Sequence, residues 1–357
     1  MKKQFVKILS LCALGATTVF VSCKDKNDDE KPEVKIAKRV YILNEGSWGG
    51  NNSTLDVYYP DSVTLCKKKI FAAANGQGLG DTGQDLLAYG NRIYVSVWGS
   101  NYLAKLDQKG KIIEKHEFTT DEGQPRYLAA KDGFIYVSTY GGKVIKFDTA
   151  AIVAPQVSVE VGQNPEQICI KGDVLYAAIA GTYGAYQNKI AVVDLTNFTF
   201  KENIEVREDP TNIITAGDKL YVIHYDTATW NQNILEVDPV TKKYTVFCDG
   251  SKMATDGEYL YSYSKVSMGN NEYAVGFDKT DLKTKAKSGF LVITDAPELP
   301  QATAVYLFEI DPDNGDFYLG TTDYVTNGVI YRFGKDGKLI AKFETSGINP
   351  NSAVFVK

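Results

Sequence analysis

Seven short stretches of this chain set a tyrosine inside a mostly apolar run: Tyr41 in RVYIL, Tyr94 in RIYVS, Tyr136 in FIYVS, Tyr176 in VLYAA, Tyr221 in KLYVI, Tyr261 in YLYSY and Tyr318 in DFYLG. The steps between them are mostly 40 to 48 residues. The unit from Gln124 to Thr149 shows what recurs. PRYLAAK reads as a first strand, Asp132–Gly133 as a turn, FIYVSTY as a second strand, Gly141–Gly142 as another turn and KVIKFDT as a third strand. Asp-Gly between runs of β-branched and aromatic residues is a strong hairpin signal, because both centres of a type I′ turn need positive φ. Three strands cannot bury a core alone, so the unit needs its own copies as neighbours.

The other strands follow the same count. Apolar–Asp pairs end the third strand in six units: Leu55-Asp56, Leu106-Asp107, Phe147-Asp148, Val193-Asp194, Val237-Asp238 and Phe277-Asp278. The seventh unit reads Tyr331-Arg332-Phe333. First strands are expected to start at Gln84-Asp85, Gln124-Pro125, Asn164-Pro165, Asp209-Pro210, Met253-Ala254, Gln301-Ala302 and Asn349-Pro350. Such a period is that of a four-stranded propeller blade. The first unit has a second strand at Arg39–Asn44 with an acidic stretch before it, whereas Asn349-Pro350 opens a strand that ends the chain. The C-terminal strand is therefore expected to complete the N-terminal blade, which would remove open sheet edges.

The expected fold class is all-β, a closed seven-bladed β-propeller over residues 39–357. A β-sandwich of equal strand number would not explain a sevenfold step. The x-Pro start, the Leu/Ile-Tyr-Val second strand and the apolar–Asp pair resemble the YVTN-type propellers. The Gly-His and Trp-Asp pairs of WD40 repeats are absent from the sequence. That resemblance implies a scaffold and leaves the activity open.

Composition narrows the function. A net charge of −5 with no Lys/Arg stripe argues against a nucleic-acid partner. Two histidines and three methionines leave little for metal or redox chemistry. Residues 1–22 read as a signal peptide: Lys2 and Lys3 precede a mostly apolar run from Phe5 to Val21, too short to span a membrane. Val21-Ser22-Cys23 resembles a bacterial lipoprotein box, which implies lipid on the Cys23 thiol and a membrane contact through that anchor alone. A plain signal peptide with an incidental cysteine is the alternative. Residues 23–38 read as a disordered tether. Its Asp28-Asp29-Glu30 cluster resembles the surface-export signal of Bacteroidetes-type lipoproteins, which implies an outer-membrane protein facing the exterior. Cys66, Cys169 and Cys248 fall on different strands and are expected to be buried thiols.

Strands alternate in direction within a blade, so second-to-third loops share a face with the loops that lead into the first strands. Those loops ring one mouth of the central channel. Trp48, Asn51, Trp98, Asn101, Tyr140, Tyr183, Tyr186, His224, Tyr225, Trp230, Tyr263 and Tyr324 all fall there, with Arg126 just past a first-strand start. All three tryptophans are in this set, while the opposite-face turns are small and charged, such as Asp132-Gly133. Aromatic planes beside amides suit a flat, weakly charged ligand with many hydrogen-bonding groups. The bland alternative is that each ring packs on the neighbouring blade. Arg126 and Glu166 are expected to form a channel ion pair, and His224 to be an end-of-strand histidine rather than a metal ligand. Glu45, Asp226 or Asp323 would supply a catalytic carboxylate pair only if two came within reach.

RVYILNEGSWGGN, from Arg39 to Asn51 behind the lipobox and acidic tether, resembles the surface-exposed seven-bladed lipoproteins that capture cobalamin. The resemblance implies a non-catalytic binding protein, without a resident cofactor, that takes up vitamin B12 or a related corrinoid. It further implies that the protein hands this ligand to a TonB-dependent outer-membrane transporter. The loop residues above come from strand geometry and not from that family. A propeller that binds a glycan or peptide stays open, as does an extracellular lyase or lactonase.

Overall fold

The structure is a computed structural model that describes residues 38–62, 65–229, 231–269, 272–301 and 304–357. The signal peptide, Cys23, the tether through residue 37, Trp230, Asn270, Asn271 and Ala302 lie outside the described residues.

Seven four-stranded antiparallel sheets follow one another as blades, each running from an inner first strand to an outer fourth. The inner strands are Pro350–Val356 for blade 1, Gly83–Tyr89 for blade 2, Pro125–Lys131 for blade 3 and Pro165–Lys171 for blade 4. Blades 5, 6 and 7 have Pro210–Ala216, Lys252–Thr255 and Ala304–Ile310. Blade 1 is built from both ends of the fold: Arg39–Asn44 pairs with Pro350–Val356, Tyr41 opposite Val354. The expected seven-bladed propeller and its closure are what the sheets show.

The repeat tyrosine explains the stacking. Side chains alternate between the two faces of a strand, so one face of each second strand meets the preceding blade and the other meets the next. Seven separate buried clusters occupy the seven blade interfaces, and each holds one repeat tyrosine. Tyr136, for example, packs with Ile168 and Leu175 of blade 4. Tyr41, Tyr94, Tyr221 and Tyr318 are almost fully covered. Several keep their hydroxyls bonded: Tyr41 donates to the Gln108 carbonyl at 2.7 Å and Tyr221 to Glu236 at 2.6 Å. A large ring with a satisfied polar tip thus supplies much of each interface.

Strand register corrects several phases. Opposite Tyr94, Tyr136 and Tyr261 stand Lys105, Lys146 and Lys279, so the aspartates two residues on are Asp107, Asp148 and Asp281. Phe277-Asp278 is therefore inside the third strand of blade 6, and Leu55-Asp56 is likewise inside that of blade 1, where Tyr41 faces Val57. The true end-of-strand aspartates each accept the backbone N–H two residues on, as Asp148 does from Ala150 and Asp281 from Lys283, both Asx turns. Asp56 instead accepts from Ser346 N at 2.7 Å and Lys69 N at 2.8 Å, and sews blade 1 to the strand end of blade 7.

First-strand starts shift as well in blades that lack the proline. The counterpart of Pro125, opposite Thr139, is Gly83 opposite Val97 in blade 2 and Val305 opposite Thr321 in blade 7. In blade 6 the inner strand begins at Lys252, before Met253-Ala254. Before the strand the chain turns through positive φ at Thr82, Asn164, Asp209 and Asn349, which explains the Asn/Asp-Pro phrasing. Blade 3 has Gln124 there and moves the turn to Gly123, at φ 75°. A Cβ on Gly123 would lie 1.9 Å from Gly141 N, so only glycine allows these two mouth loops to touch.

Blade 6 is longer than its neighbours in two places. Residues 265–269 and 272–275 prolong the hairpin of Tyr259–Gly269 with Glu272–Asp281 beyond the mouth. Residues 279–300 finish the third strand, add the outer strand Lys287–Gly289, and bury Ala296 and Leu299 against the blade 6–7 core.

Candidate functional site

Six of the seven inner strands carry a β-bulge near their start, as between Gly83 and Asp85, Pro125 and Leu128, or Pro165 and Ile168, whereas that of blade 6 pairs in unbroken register. A bulge leaves an extra residue on one strand and re-aims its side chain. Polar residues consequently come in doublets at the top of the channel: Gln84-Asp85, Arg126-Tyr127, Glu166-Gln167, Thr211-Asn212 and Asn351-Ser352. Several of them tie adjacent blades. Asp85 accepts Leu128 N at 2.9 Å, and Gln167 accepts Ile213 N at 3.0 Å. Ser96 and Ser138, two residues past their repeat tyrosines, donate to the carbonyls of Arg126 and Glu166 at 2.6 and 2.8 Å.

At the mouth, blades 2, 3 and 4 build one connected group. Arg126 donates to Glu166 Oε2 through Nε at 3.1 Å and Nη2 at 2.5 Å, and through Nη1 to Gln84. Tyr140 donates its hydroxyl to the other Glu166 oxygen at 2.5 Å. The guanidinium lies 4.6 Å from the Tyr140 ring centroid, and Trp98 meets that ring edge-on at 6.2 Å. Three of the sequence-derived residues, Trp98, Arg126 and Tyr140, are thus brought together and fixed by Glu166. The indole Nε1 of Trp98 is covered and has no acceptor among the described residues.

The remaining candidates sort by exposure. Trp48 is 83% exposed, Tyr183 86% and Tyr324 50%. Asn51 is exposed and sits at φ 49° in the same loop as Trp48. Tyr186 stands edge-on to Tyr183 at 6.1 Å, and Tyr324 edge-on to Tyr306 at 6.0 Å. Tyr225 is partly buried beside the fifth-blade loop. Asn101 serves the fold: at φ 56° its Nδ2 donates to the Phe118 carbonyl at 2.7 Å. Tyr263 is buried in the blade 6–7 core against Phe277, away from the mouth surface. His224 is also buried, and its ring nitrogens make no well-aligned hydrogen bond, the Glu208 backbone being the polar group beside them. Burial, then nearby Arg207, lowers its pKa, so the ring is neutral at pH 7. Trp230 lies outside the described residues.

Sequence reading missed the channel below the mouth. A cavity of about 400 Å³ is lined by Asp85, Tyr127, Asn212, Lys252, Tyr306 and Glu309 among others. All four residues of the short inner strand of blade 6, Lys252–Thr255, line it, where the neighbouring inner strands have seven residues. Burial raises Glu309 to about 8 and Asp85 to about 6, and it also raises Glu45 and lowers Lys252. An acid whose folded pKa is raised stabilises the fold below its unfolded pKa and loses that contribution as pH rises through the folded value. Stability is therefore expected to fall between pH 4.5 and about 8 through Glu309. The loss should be on the order of 1–3 kcal/mol, allowing for water in the channel. Urea unfolding across that range should show the slope flattened in Glu309→Gln; an equally steep slope in the variant would assign it elsewhere. Among the described residues no three His, Cys, Asp or Glu side chains group to hold a metal ion.

The ring of blades, with its aromatic mouth and polar channel, defines a seven-bladed β-propeller. Residues 38–344 match DUF5074, a domain of unknown function, and the chain belongs to that family. No curated protein matches it in sequence. Similar solved structures include a candidate 6-phosphogluconolactonase from Bacteroides uniformis, 12% identical at TM-score 0.65, covering 90% of this chain and 100% of that one. Another, from Bacteroides fragilis, is 15% identical at TM-score 0.62, covering 91% of this chain and 100% of that one. Kuenenia stuttgartiensis hydrazine synthase is 16% identical at TM-score 0.62, covering 76% of this chain and 88% of that one. At these identities the likeness shows the fold alone.

Proposed function

We propose that this protein is a non-catalytic capture protein for a flat, amide-rimmed ligand, a corrinoid such as cobalamin, held across the mouth. The observation that carries this reading is where exposed aromatic rings stand. Trp48, Tyr183, Tyr273 and Tyr324 are the aromatic residues at least half exposed among the described residues, and all four belong to second-to-third loops or hairpins on the mouth face. Packing on neighbouring blades does not account for rings that remain open to water. Exposed aromatic surface concentrated on one face marks an interaction site, and rings with two side-chain torsions bind at low entropic cost. The opening sequence from Arg39 to Asn51 and the expected lipid on Cys23 support placement at the cell surface, with a TonB-dependent transporter as receiver.

Purified protein mixed with cyanocobalamin and desalted should elute coloured. A colourless protein peak would reject the corrinoid and leave a glycan or peptide as the ligand class to test. Trp48→Ala and Tyr183→Ala should each weaken capture by about 1 kcal/mol or more in titration calorimetry. Unchanged affinity in both would move the site off this face. Cys23→Ala should release the protein from membranes on fractionation, and continued membrane association would refute the anchor.

A further inference from the structure

The channel cavity contains two titratable groups without a hydrogen bond or a close ion pair among the described residues. Lys252 Nζ sits 5.0 Å from the Tyr306 ring centroid, and among the described residues it has no ion-pair or hydrogen-bond partner. Glu309, on the adjacent inner strand, likewise has no hydrogen bond or ion pair among the described residues. The neighbouring acids are committed, since Asp85 accepts from Leu128 N and Ser352 Oγ and Glu45 accepts from the Tyr306 hydroxyl. Asn351 donates to the carbonyls of Gly83 and Gln84, yet its Oδ1 has no partner. Ile214, Ile223 and Phe308 give the same cavity an apolar wall. Burying a charge without a partner is costly. Lys252 feels the charge of Glu309 and of Glu45 across the cavity but closes an ion pair with neither, so Lys252 and Glu309 offer a ligand two complementary contacts.

We propose that the channel binds a small zwitterion with an apolar side chain, an α-amino acid, its carboxylate on Lys252 and its ammonium on Glu309. A ligand carrying one charge would answer only one group and leave the other desolvated. A zwitterion answers both and adds no net charge to a confined space. The apolar wall takes the side chain, and about 400 Å³ falls within the usual size of small-molecule sites. Glu309 supports the assignment through its proton: raised to about 8, it is mostly neutral at pH 7, so an arriving ammonium ionises it and a proton leaves to solvent. Lys252 and Glu309 themselves are not among the rings assigned to capture at the mouth, and Tyr306 is the link between the two through Tyr324.

Titration calorimetry on the purified protein tests this with L-leucine, L-methionine and L-phenylalanine, beside isopentylamine and 4-methylpentanoate as the two halves of leucine. At least one amino acid should bind, and both half-molecules at least about tenfold more weakly than leucine or not at all. The binding heat at pH 7 should vary with the buffer's ionisation enthalpy in the sense of proton release. Glu309→Gln and Lys252→Met, with unchanged circular dichroism, should each lose about tenfold or more in affinity while cyanocobalamin capture is kept. Silence with all three amino acids, equal binding by a half-molecule, or wild-type affinity in both folded variants would overturn the proposal. The half-molecule comparison uses unaltered protein and stands even if a variant fails to fold.

Discussion

Arg332→Ala is expected to lower the unfolding free energy by about 3–5 kcal/mol, because it strips the partner from a buried carboxylate at the seam of the ring. Arg332 donates to Asp316 Oδ2 through Nε at 2.8 Å and Nη2 at 2.6 Å, and both side chains are about 90% covered. Its Nη1 reaches across to blade 1 and donates to the Pro60 carbonyl at 2.9 Å. Alanine would leave Asp316 charged and unpaired, and the Pro60 carbonyl without this donor. The consequence is greater here than in any blade centre, since the blade 7–1 seam holds the two ends of the fold together. Urea unfolding measures the loss. The double variant Arg332→Met with Asp316→Leu should regain much of it, as apolar replacements often match a buried ion pair. A single variant within 1 kcal/mol of wild type, or a double variant worse than the single, would reject this account.

Arg332 also shows how far the sequence could be read. The seven tyrosines fixed the blade count, because a large ring with one polar tip is what an interface between twisted sheets needs at one point per blade. The aspartates were a weaker guide. An Asx turn, the strand-pairing Asp56 and the mid-strand Asp278 look alike in one dimension, and only register separates them. In blade 7 the position opposite Tyr318 holds Arg332, so the unusual residue marks the seam. Site residues divide in the same way. Loop order places Trp48, Trp98, Tyr140, Tyr183 and Tyr324 on one face, and the strands put them there. Tyr263 was readable as core, since it is two residues past Tyr261 and strand alternation sends both toward blade 7. The same parity puts His224 with Leu220 and Val222, facing blade 4. Lys252 and Glu309 had no such signal. Lys252 starts an inner strand that pairs without a bulge and Glu309 lies past the bulge of its own strand, so only the register of the folded blades brings the two to one channel.

The Arg126–Glu166 pair connects this reading to function. Arg126→Ala should cost about 3 kcal/mol of stability, for the same reason that Arg332→Ala does: Glu166 is 8% exposed and would lose its countercharge. The two arginines differ in what they support. Arg332 bonds Pro60 and Asp316, which belong to turns on the face opposite the mouth. Arg126 lies against the Tyr140 ring and shares Glu166 with the Tyr140 hydroxyl, and Trp98 leans on that same ring. Without the guanidinium the Tyr140 ring loses one face of its packing, and Trp98 loses a fixed neighbour. The tryptophan emission should therefore change in Arg126→Ala and stay as in wild type in Arg332→Ala, whose aromatic neighbour is Tyr58. If the mouth is the capture site, cyanocobalamin affinity should drop about tenfold or more in the first and hold in the second, at equal loss of stability. Equal affinities in the two variants would mean that the aromatic group at blades 2 to 4 organises the fold without touching the ligand. A loss in both would mean that capture follows global stability rather than this site. Matching two buried arginines on opposite faces separates a binding surface from a well-packed one.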